Sequence, residues 1–330
     1  MKALVYTGPK SLEFRDVPDP APSSDQVLIR IDSVGICGSD MHAFLGHDER
    51  RPAPLILGHE AAGVIQGGAR DGERVTINPL VSCGACVACQ TGRDNLCPDR
   101  QIISMPPREG GFAQFVAMRE QNLVTVPDHV SLAQASLAEP IACGWHTVRL
   151  ALKTCETEAQ DVDALVLGGG AIGLGAALSL KAQGVNKITI IEPNEARRVH
   201  LIEKCAQTAK ASADDTDMNA YDVIIDGVGY AATRETASAA ARPGGVIGHI
   251  GLGQATDGLD IRRMTLQEIT FIGTYTYTAQ DFRQTAQAIF DGSLGPLDWF
   301  EERALADGQQ AFQDILNGTV ASPKLILKPN

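Results

Sequence analysis

The stretch ALVLGGGAIGLGAALSLKAQG (164–184) decides the fold. It opens as a short apolar run, as a fully buried strand does, and continues into small and apolar residues with helical spacing. Gly168, Gly170 and Gly173 lie between the two as G-x-G-x-x-G. The first glycine permits the tight turn, the second lets the backbone approach a pyrophosphate, and the third lets the helix pack closely on the strand. Phosphate charge then faces the helix N-terminus, where unpaired N–H groups and the dipole favour an anion. A glycine triplet alone is weak evidence, but here a strand precedes it and a helix follows.

Downstream, KITIIEP (187–193) reads as a second strand. Its end carries Glu192, about 20 residues past the last glycine of the triplet. A carboxylate there accepts the ribose hydroxyl hydrogens and repels a 2′-phosphate, which selects NAD over NADP. The plain alternative is a strand-end acid on a solvated loop. Arg197 and Arg198 follow closely and keep NADP open, since either suits a 2′-phosphate. A helix over about 194–207, DVIIDGVG (222–229), a helix near 231–241, GGVIGHIGL (244–252) and a last strand in EITFIGTYTY (268–277) continue the alternation. Strands alternating with helices define an α/β domain, a doubly wound parallel sheet covered on both faces in the Rossmann manner.

Upstream the character differs. Lys2–Tyr6, Leu12–Asp16, Gln26–Val34, Arg74–Asn78, GGFAQFVAM (110–118) and NLVTVP (122–127) read as strands. The proline-rich VPDPAPSS (17–24) separates the early ones, and loops join the others. Small and apolar residues at helical spacing over 132–152 lead into the second domain. From about 281 a helix, a short β segment and KLILKP (324–329) return to the first. The expected division is a β-rich domain over 1–141, a dinucleotide-binding domain over 142–280, and a return over 281–330.

The β-rich part holds the most specific local signal, CGACVACQTGRDNLC (83–97). Cys83, Cys86, Cys89 and Cys97 follow C-x2-C-x2-C-x7-C, spacing that lets four thiolates close around one tetrahedral zinc ion. Gly84 and Gly92 suit the bends. Disulfides fit poorly without any sign of export, and the spacing departs from ferredoxin patterns. A closed four-thiolate zinc leaves no position for substrate, so this site is structural and the chemistry lies elsewhere.

Composition narrows the classes. At 330 residues the chain suffices for two cores, and 44% hydrophobic with 21% charged residues is ordinary for a globular protein. A net charge of −12 opposes non-specific binding to nucleic acid or anionic membranes. No apolar stretch is long enough for a membrane span, and the N-terminus lacks a signal-peptide core, so the expected location is the cytoplasm.

Cys37, His59, Glu60 and Glu139 have no shared local spacing. Read alone, a single Cys is more often a small buried hydrophobe and a single Glu more often solvated. They gain meaning from a resemblance. GICGSDMH (35–42), LGHEAAGV (57–64), the four-cysteine loop with NLC, LAEPIACGWHT (137–147) and VLGGGAIGLGA (166–176) with Glu192 closely resemble the zinc-dependent medium-chain dehydrogenases of the alcohol dehydrogenase superfamily. The match is on the polyol (sorbitol) and threonine dehydrogenase side.

That resemblance implies a GroES-like catalytic domain and oxidation of a secondary alcohol or polyol, with hydride passing to the nicotinamide of NAD. It implies Cys37 and His59 as ligands of a catalytic zinc, with Glu60 or Glu139 as the third. His59 and Glu60 are neighbours and point to opposite sides of a regular strand, so only one ligates unless the backbone bends. Ser39 and His42 resemble the family's proton relay. Ile172, Arg197, Ile250, Gly251 and Leu252 resemble cofactor-lining residues, with Tyr275, Thr276 and Tyr277 at the nicotinamide end.

Two departures from polyol dehydrogenases stand out. Thr276 replaces a common arginine, and Ala43 and Phe44 occur where a tyrosine is usual, which points to a shorter or more apolar alcohol. His47, Asp48, Glu49, Arg50 and Arg51 lie in the loop that usually walls the substrate cleft, where they would suit a polar or acidic substrate; the plain alternative, and the favoured one, is a solvated loop. The family's dimers and tetramers imply a homodimer or homotetramer, with EITFIGTYTY pairing across a two-fold axis. NADP-dependent, primary-alcohol or hydroxy-acid activity is the nearest alternative, and a non-enzymatic binding protein retaining the fold is the distant one. The remaining Cys143, Cys155 and Cys205, with His129, His146, His200 and His249, have no assigned role.

Overall fold

The structure, a computed structural model, describes residues 1–215 and 217–329. They divide into two compact units. One comprises Met1–Glu139, Thr278–Asp291 and the chain from Phe300 onward; the other comprises Pro140–Tyr277 and Gly292–Trp299.

In the second unit six strands form one parallel sheet. Their order is Ala209–Lys210, Lys187–Ile191, Asp163–Leu167, Tyr221–Asp226, Ala241–His249, Thr270–Gly273. The chain therefore starts mid-sheet, winds to one edge, returns, and winds to the other. The order reverses between Asp163–Leu167 and Tyr221–Asp226, and ligands bind open α/β sheets at the carboxyl ends of strands beside such a switch. Asp163–Leu167 is buried from Ala164 to Leu167, as expected of a strand covered on both faces. One covering layer packs Ala237 and Ala240 of the helix Ala231–Ala240 against Leu165, Ile224 and Ile247.

The first unit is built on a seven-stranded sheet in which Gln26–Gly35 is central. It pairs antiparallel with Glu60–Gln66, with Phe115–Arg119 and with the closing strand Lys324–Lys328. Behind these strands Phe44 stacks at 5.1 Å on Phe312, and Phe112 meets Phe312 edge-on at 5.9 Å.

Several sequence expectations change in extent. GICGSDMH is not a loop: Gly38–Phe44 is a helix with Cys37 as its N-cap and Asp40 completing a capping box. Gly110 and Gly111 are not strand, because Gly110 lies flat against the Leu57 carbonyl, where a Cβ would meet that oxygen at 2.2 Å. The predicted strand 268–277 shrinks to Thr270–Gly273, bounded by left-handed residues at Glu268 and Thr276. The helix expected to 207 ends at Glu203. Among the described residues no helix is long and apolar enough to cross a membrane.

Candidate active site

The four-cysteine loop supplies its four sulfurs from one short stretch and is tied to distant chain where Asp94 accepts from Ala279 N at 3.0 Å, with Asn95 and Cys97 buried. Cys86 caps the one-turn helix Val87–Gln90, and Gly84 and Gly92 take left-handed backbone at φ +74° and +73°. The Cys83 and Cys89 sulfurs lie 3.9 Å apart and those of Cys86 and Cys89 3.5 Å. Zinc–sulfur bonds of about 2.3 Å in a tetrahedron set sulfurs about 3.8 Å apart. The thiols are free, so the disulfide alternative falls. Backbone N–H groups of Ala85 and Cys86 pull the Cys83 thiol down to about 6. Burial, together with Cys86, pushes Cys89 up to about 12. A divalent cation would settle that conflict by ionising all four thiols.

The second constellation is assembled from two distant segments. Cys37 sits at the start of the helix Gly38–Phe44, and His59 and Glu60 at the start of the strand Glu60–Gln66. One ligand atom from each lies within 4.8 Å of the others. Adjacent residues reach one point because the chain bends before them. Gly58 adopts φ +89°, and a Cβ there would strike the Phe112 ring at 2.5 Å. His59 itself lies just outside the regular strand, which begins at Glu60, so strict alternation does not bind the pair. Gly35, opposite Glu60 in the ladder, is equally constrained: its Cβ would fall 2.0 Å from Glu60 Oε2.

Glu60 is 1% exposed. Its Oε1 accepts from Lys324 Nζ at 2.6 Å, while the buried Oε2 has no hydrogen-bond partner. An orphaned buried carboxylate oxygen costs several kcal/mol in an empty site, and the donor set of thiolate, imidazole and carboxylate suits zinc with a fourth position left open. The residues fit that ion. Glu139 is buried close enough to contribute to the charge felt by Lys324, but stands outside the converging trio.

Three supporting residues escaped sequence reasoning. Asp40 is fully buried; its Oδ2 accepts from Cys37 N at 3.0 Å and its Oδ1 from Gly58 N at 3.2 Å, which ties the two ligand loops together. Its carboxylate also lies 3.6 Å from His59 Nδ1. Burial lowers the basicity of His59, yet Asp40 and Cys37 outweigh it and raise the imidazole well above its ordinary value. Lys324 keeps its charge for the same reason, with Glu60 and Cys37 overcoming its burial. Ser104 contacts His59 from the other side. Asp40 was readable in principle, as the third residue after a helix N-cap, whereas Lys324 and Ser104 carry no local signal.

Ser39 and His42 are three apart on the short helix and so share a face. Ser39 is half-buried and His42 exposed. Ala43 and Phe44 are core residues, so neither offers its side chain to a substrate. Asp48 holds both Arg50 and Arg51, the latter buried, which leaves Arg51 occupied by structure and not available for an acidic substrate.

In the other unit the glycine turn has the predicted form. Gly168 takes φ +96°, and a Cβ on Gly173 would fall 1.7 Å from the Gly168 carbonyl oxygen. Nothing lies within 4 Å of the Cβ position of Gly170, the N-cap of the helix Ala171–Ala182, so this is the open face of the turn. Glu192 Oε2 accepts from Gly169 N at 2.9 Å and Oε1 from Asn194 N at 2.8 Å, and Arg197 Nη1 stands 3.7 Å from it. Each oxygen keeps a lone pair for a ribose hydroxyl. Asp226, at the end of its strand, accepts from Val228 N, Gly229 N and Thr233 and pairs with His249; its carbonyl accepts from Ile250 N and Gly251 N. Ile172 is half-buried and Leu252 projects into solvent. Thr276 has φ +47° and a buried Oγ1 without a partner, and Tyr275 stands half-buried beside it.

Comparison with known proteins agrees with this geometry. Residues 23–128 match the alcohol dehydrogenase GroES-like domain and residues 171–291 the zinc-binding dehydrogenase domain. The chain is 34% identical over 297 residues to the sorbitol dehydrogenase of Bacillus subtilis, covering 84% of this chain and 82% of that one. It is 30% identical to the L-galactonate-5-dehydrogenase of Escherichia coli, covering 89% and 88%. Acetophenone reductase from Geotrichum candidum, solved in complex with NAD, superposes with a TM-score of 0.86 at 26% identity, covering 99% of this chain and 96% of that one. The chain belongs to the zinc-dependent medium-chain alcohol dehydrogenases, on their polyol dehydrogenase-like side. It is an oxidoreductase that uses zinc and a nicotinamide dinucleotide on small alcohols or polyols.

Proposed function

We propose that this enzyme oxidises a secondary alcohol or polyol to a ketone with NAD, using Cys37, His59 and Glu60 as the protein ligands of its catalytic zinc. The observation that carries the reading is the convergence of those three groups around the unpartnered Oε2 of Glu60. Zinc held there supplies a Lewis acid that lowers the pKa of an alcohol hydroxyl. Glu60 serves as the carboxylate ligand, and Glu139, whose charge also acts on Lys324, is the reserve carboxylate. Ser39 accepts the hydroxyl proton as it gives up its own, which passes outward through the cofactor ribose and His42, exposed on the same helical face, or through water. Cys83, Cys86, Cys89 and Cys97 hold a second, structural zinc.

Gly168, Gly170 and Gly173 cradle the pyrophosphate, and Glu192 takes the ribose hydroxyls, which favours NAD. Ile172, Arg197, Ile250, Gly251 and Leu252 line the cofactor, with Tyr275 and Thr276 at its nicotinamide end. The relatives named for sorbitol and L-galactonate support a polyhydroxylated secondary alcohol. Thr276 in place of a cation, and a core Phe44, favour a short one. We also propose a homodimer or homotetramer joined through the edge strand Thr270–Gly273, working in the cytoplasm, where four zinc thiolates stay reduced.

Cys37→Ser tests the centre of this reading. The parent should hold about two zinc ions per chain, and the variant one, with kcat lowered at least about 10³-fold because several kcal/mol of Lewis-acid stabilisation is lost. A variant that keeps both ions and full activity refutes the assignment.

A further inference from the structure

His59 can ligate a metal through only one ring nitrogen, and what touches the other fixes which. Asp40 Oδ1 faces Nδ1 from 3.6 Å, longer than a hydrogen bond, while accepting from Gly58 N at 3.2 Å. Ser104 Oγ lies 3.3 Å from Nδ1, and among the described residues it is the group within hydrogen-bond reach of that atom.

Ser104 is fully buried and has φ +70°, a left-handed conformation that a non-glycine residue keeps only where its surroundings impose it. Its carbonyl is held by Arg51. This buried guanidinium donates from Nε to the Ser104 carbonyl at 3.0 Å, and from Nη1 to Asp48 Oδ2 at 2.5 Å. Arg50 grips the same carboxylate from solvent. A rigid chain thus runs from Asp48 through Arg51 to the Ser104 backbone, and from the Ser104 hydroxyl to His59.

We infer that Ser104 is a positioning residue for the catalytic zinc: its hydroxyl accepts the His59 Nδ1–H, holding the tautomer that presents Nε2 to the ion, and the Asp48–Arg51 pair holds Ser104 in place. The strained backbone is the device that aims the hydroxyl. Partners of this kind on metal-ligating histidines change affinity by roughly 10- to 100-fold.

This rests on the proposed zinc ligands, and the experiment separates the two. Full-length parent, Ser104→Gly and Ser104→Ala are titrated with zinc against a competing chelator, and with cobalt(II) followed by visible absorption. Glycine adopts φ +70° freely, so Ser104→Gly removes the hydroxyl without strain. Both variants should weaken zinc at the Cys37 site by about 10-fold or more, shift its cobalt spectrum, and leave the four-cysteine site at parent affinity. Arg51→Lys, which cannot hold Ser104 and Asp48 in one planar fork, should give a smaller loss in the same direction. If the two Ser104 variants bind within twofold of a parent that fills both sites, Ser104 is merely structural. A parent that fills only the four-cysteine site defeats the zinc assignment itself.

Discussion

The two cysteine-bearing sites proposed to hold zinc are built on opposite plans. The loop 83–97 draws all four donors from 15 consecutive residues, shaped by two glycine bends and a short helical turn, with one long-range tie from Asp94 to Ala279 N. The site at Cys37 takes its donors from two loops. It fixes them with Asp40 and Ser104, and neutralises its carboxylate with Lys324, 264 residues away from Glu60. A closed structural site has to bind and nothing more, so local chain suffices. A working site must leave one position open and still hold three ligands rigid, and that rigidity is borrowed from the whole unit.

If that contrast is right, damage to the cysteine loop stays local. Closed thiolate sites bind zinc with roughly 10 kcal/mol or more, so Cys97→Ser should empty the loop. Hydrogen exchange should then rise sharply across 83–97 while the Cys37 site keeps its metal; loss of both ions together would break the contrast.

At the other site, damage should reach across the unit. Lys324→Met leaves a buried, unpaired Glu60 carboxylate, a change that costs about 3–5 kcal/mol. Denaturation should show that cost in the zinc-free protein and a smaller one after zinc loading, because the ion substitutes for the missing cation. Equal costs in both forms would mean Glu60 does not face the metal.

Gly35→Ala is the steric version of the same test. Its Cβ must displace Glu60 Oε2 or the strand pairing, at about 1–3 kcal/mol, and competition titration should find weaker zinc at Cys37 alone.

The smallest effect concerns the outer buttress. Partial burial pushes the Asp48 carboxyl up, but Arg50 and Arg51 hold it down to about 2. A depressed folded pKa contributes stability that is present above the ordinary carboxylate value and lost as pH falls through the folded one. The stability lost in Asp48→Asn should therefore be constant from pH 5 to 8 and shrink below about pH 4, measured by chemical denaturation across that range.

What the sequence showed follows the same division. Features confined to one segment were readable: the glycine triplet between strand and helix, the Glu192 position, the cysteine spacing. They are readable because one turn of backbone fixes their geometry. Cys37 and His59 became candidates only through resemblance, since the 21 residues between them carry no geometric instruction. The side-chain alternation rule set Glu60 against His59, and the bend at Gly58 removed the conflict; the glycine was visible, but the Phe112 ring that demands it was not. Arg51 looked like a surface group because charge usually stays solvated. Its burial depends on Asp48 and on a carbonyl 53 residues away.

The position of Lys324 in the chain also bears on synthesis. The four cysteines emerge from the ribosome together and early, while the counter-charge of Glu60 arrives with the closing strand. Metal should therefore load in a fixed order, cysteine loop first and catalytic ion last. Nascent chains stalled before Lys324 and assayed for bound zinc should carry it at the loop alone, so that a chain interrupted late in translation holds zinc but has no working metal.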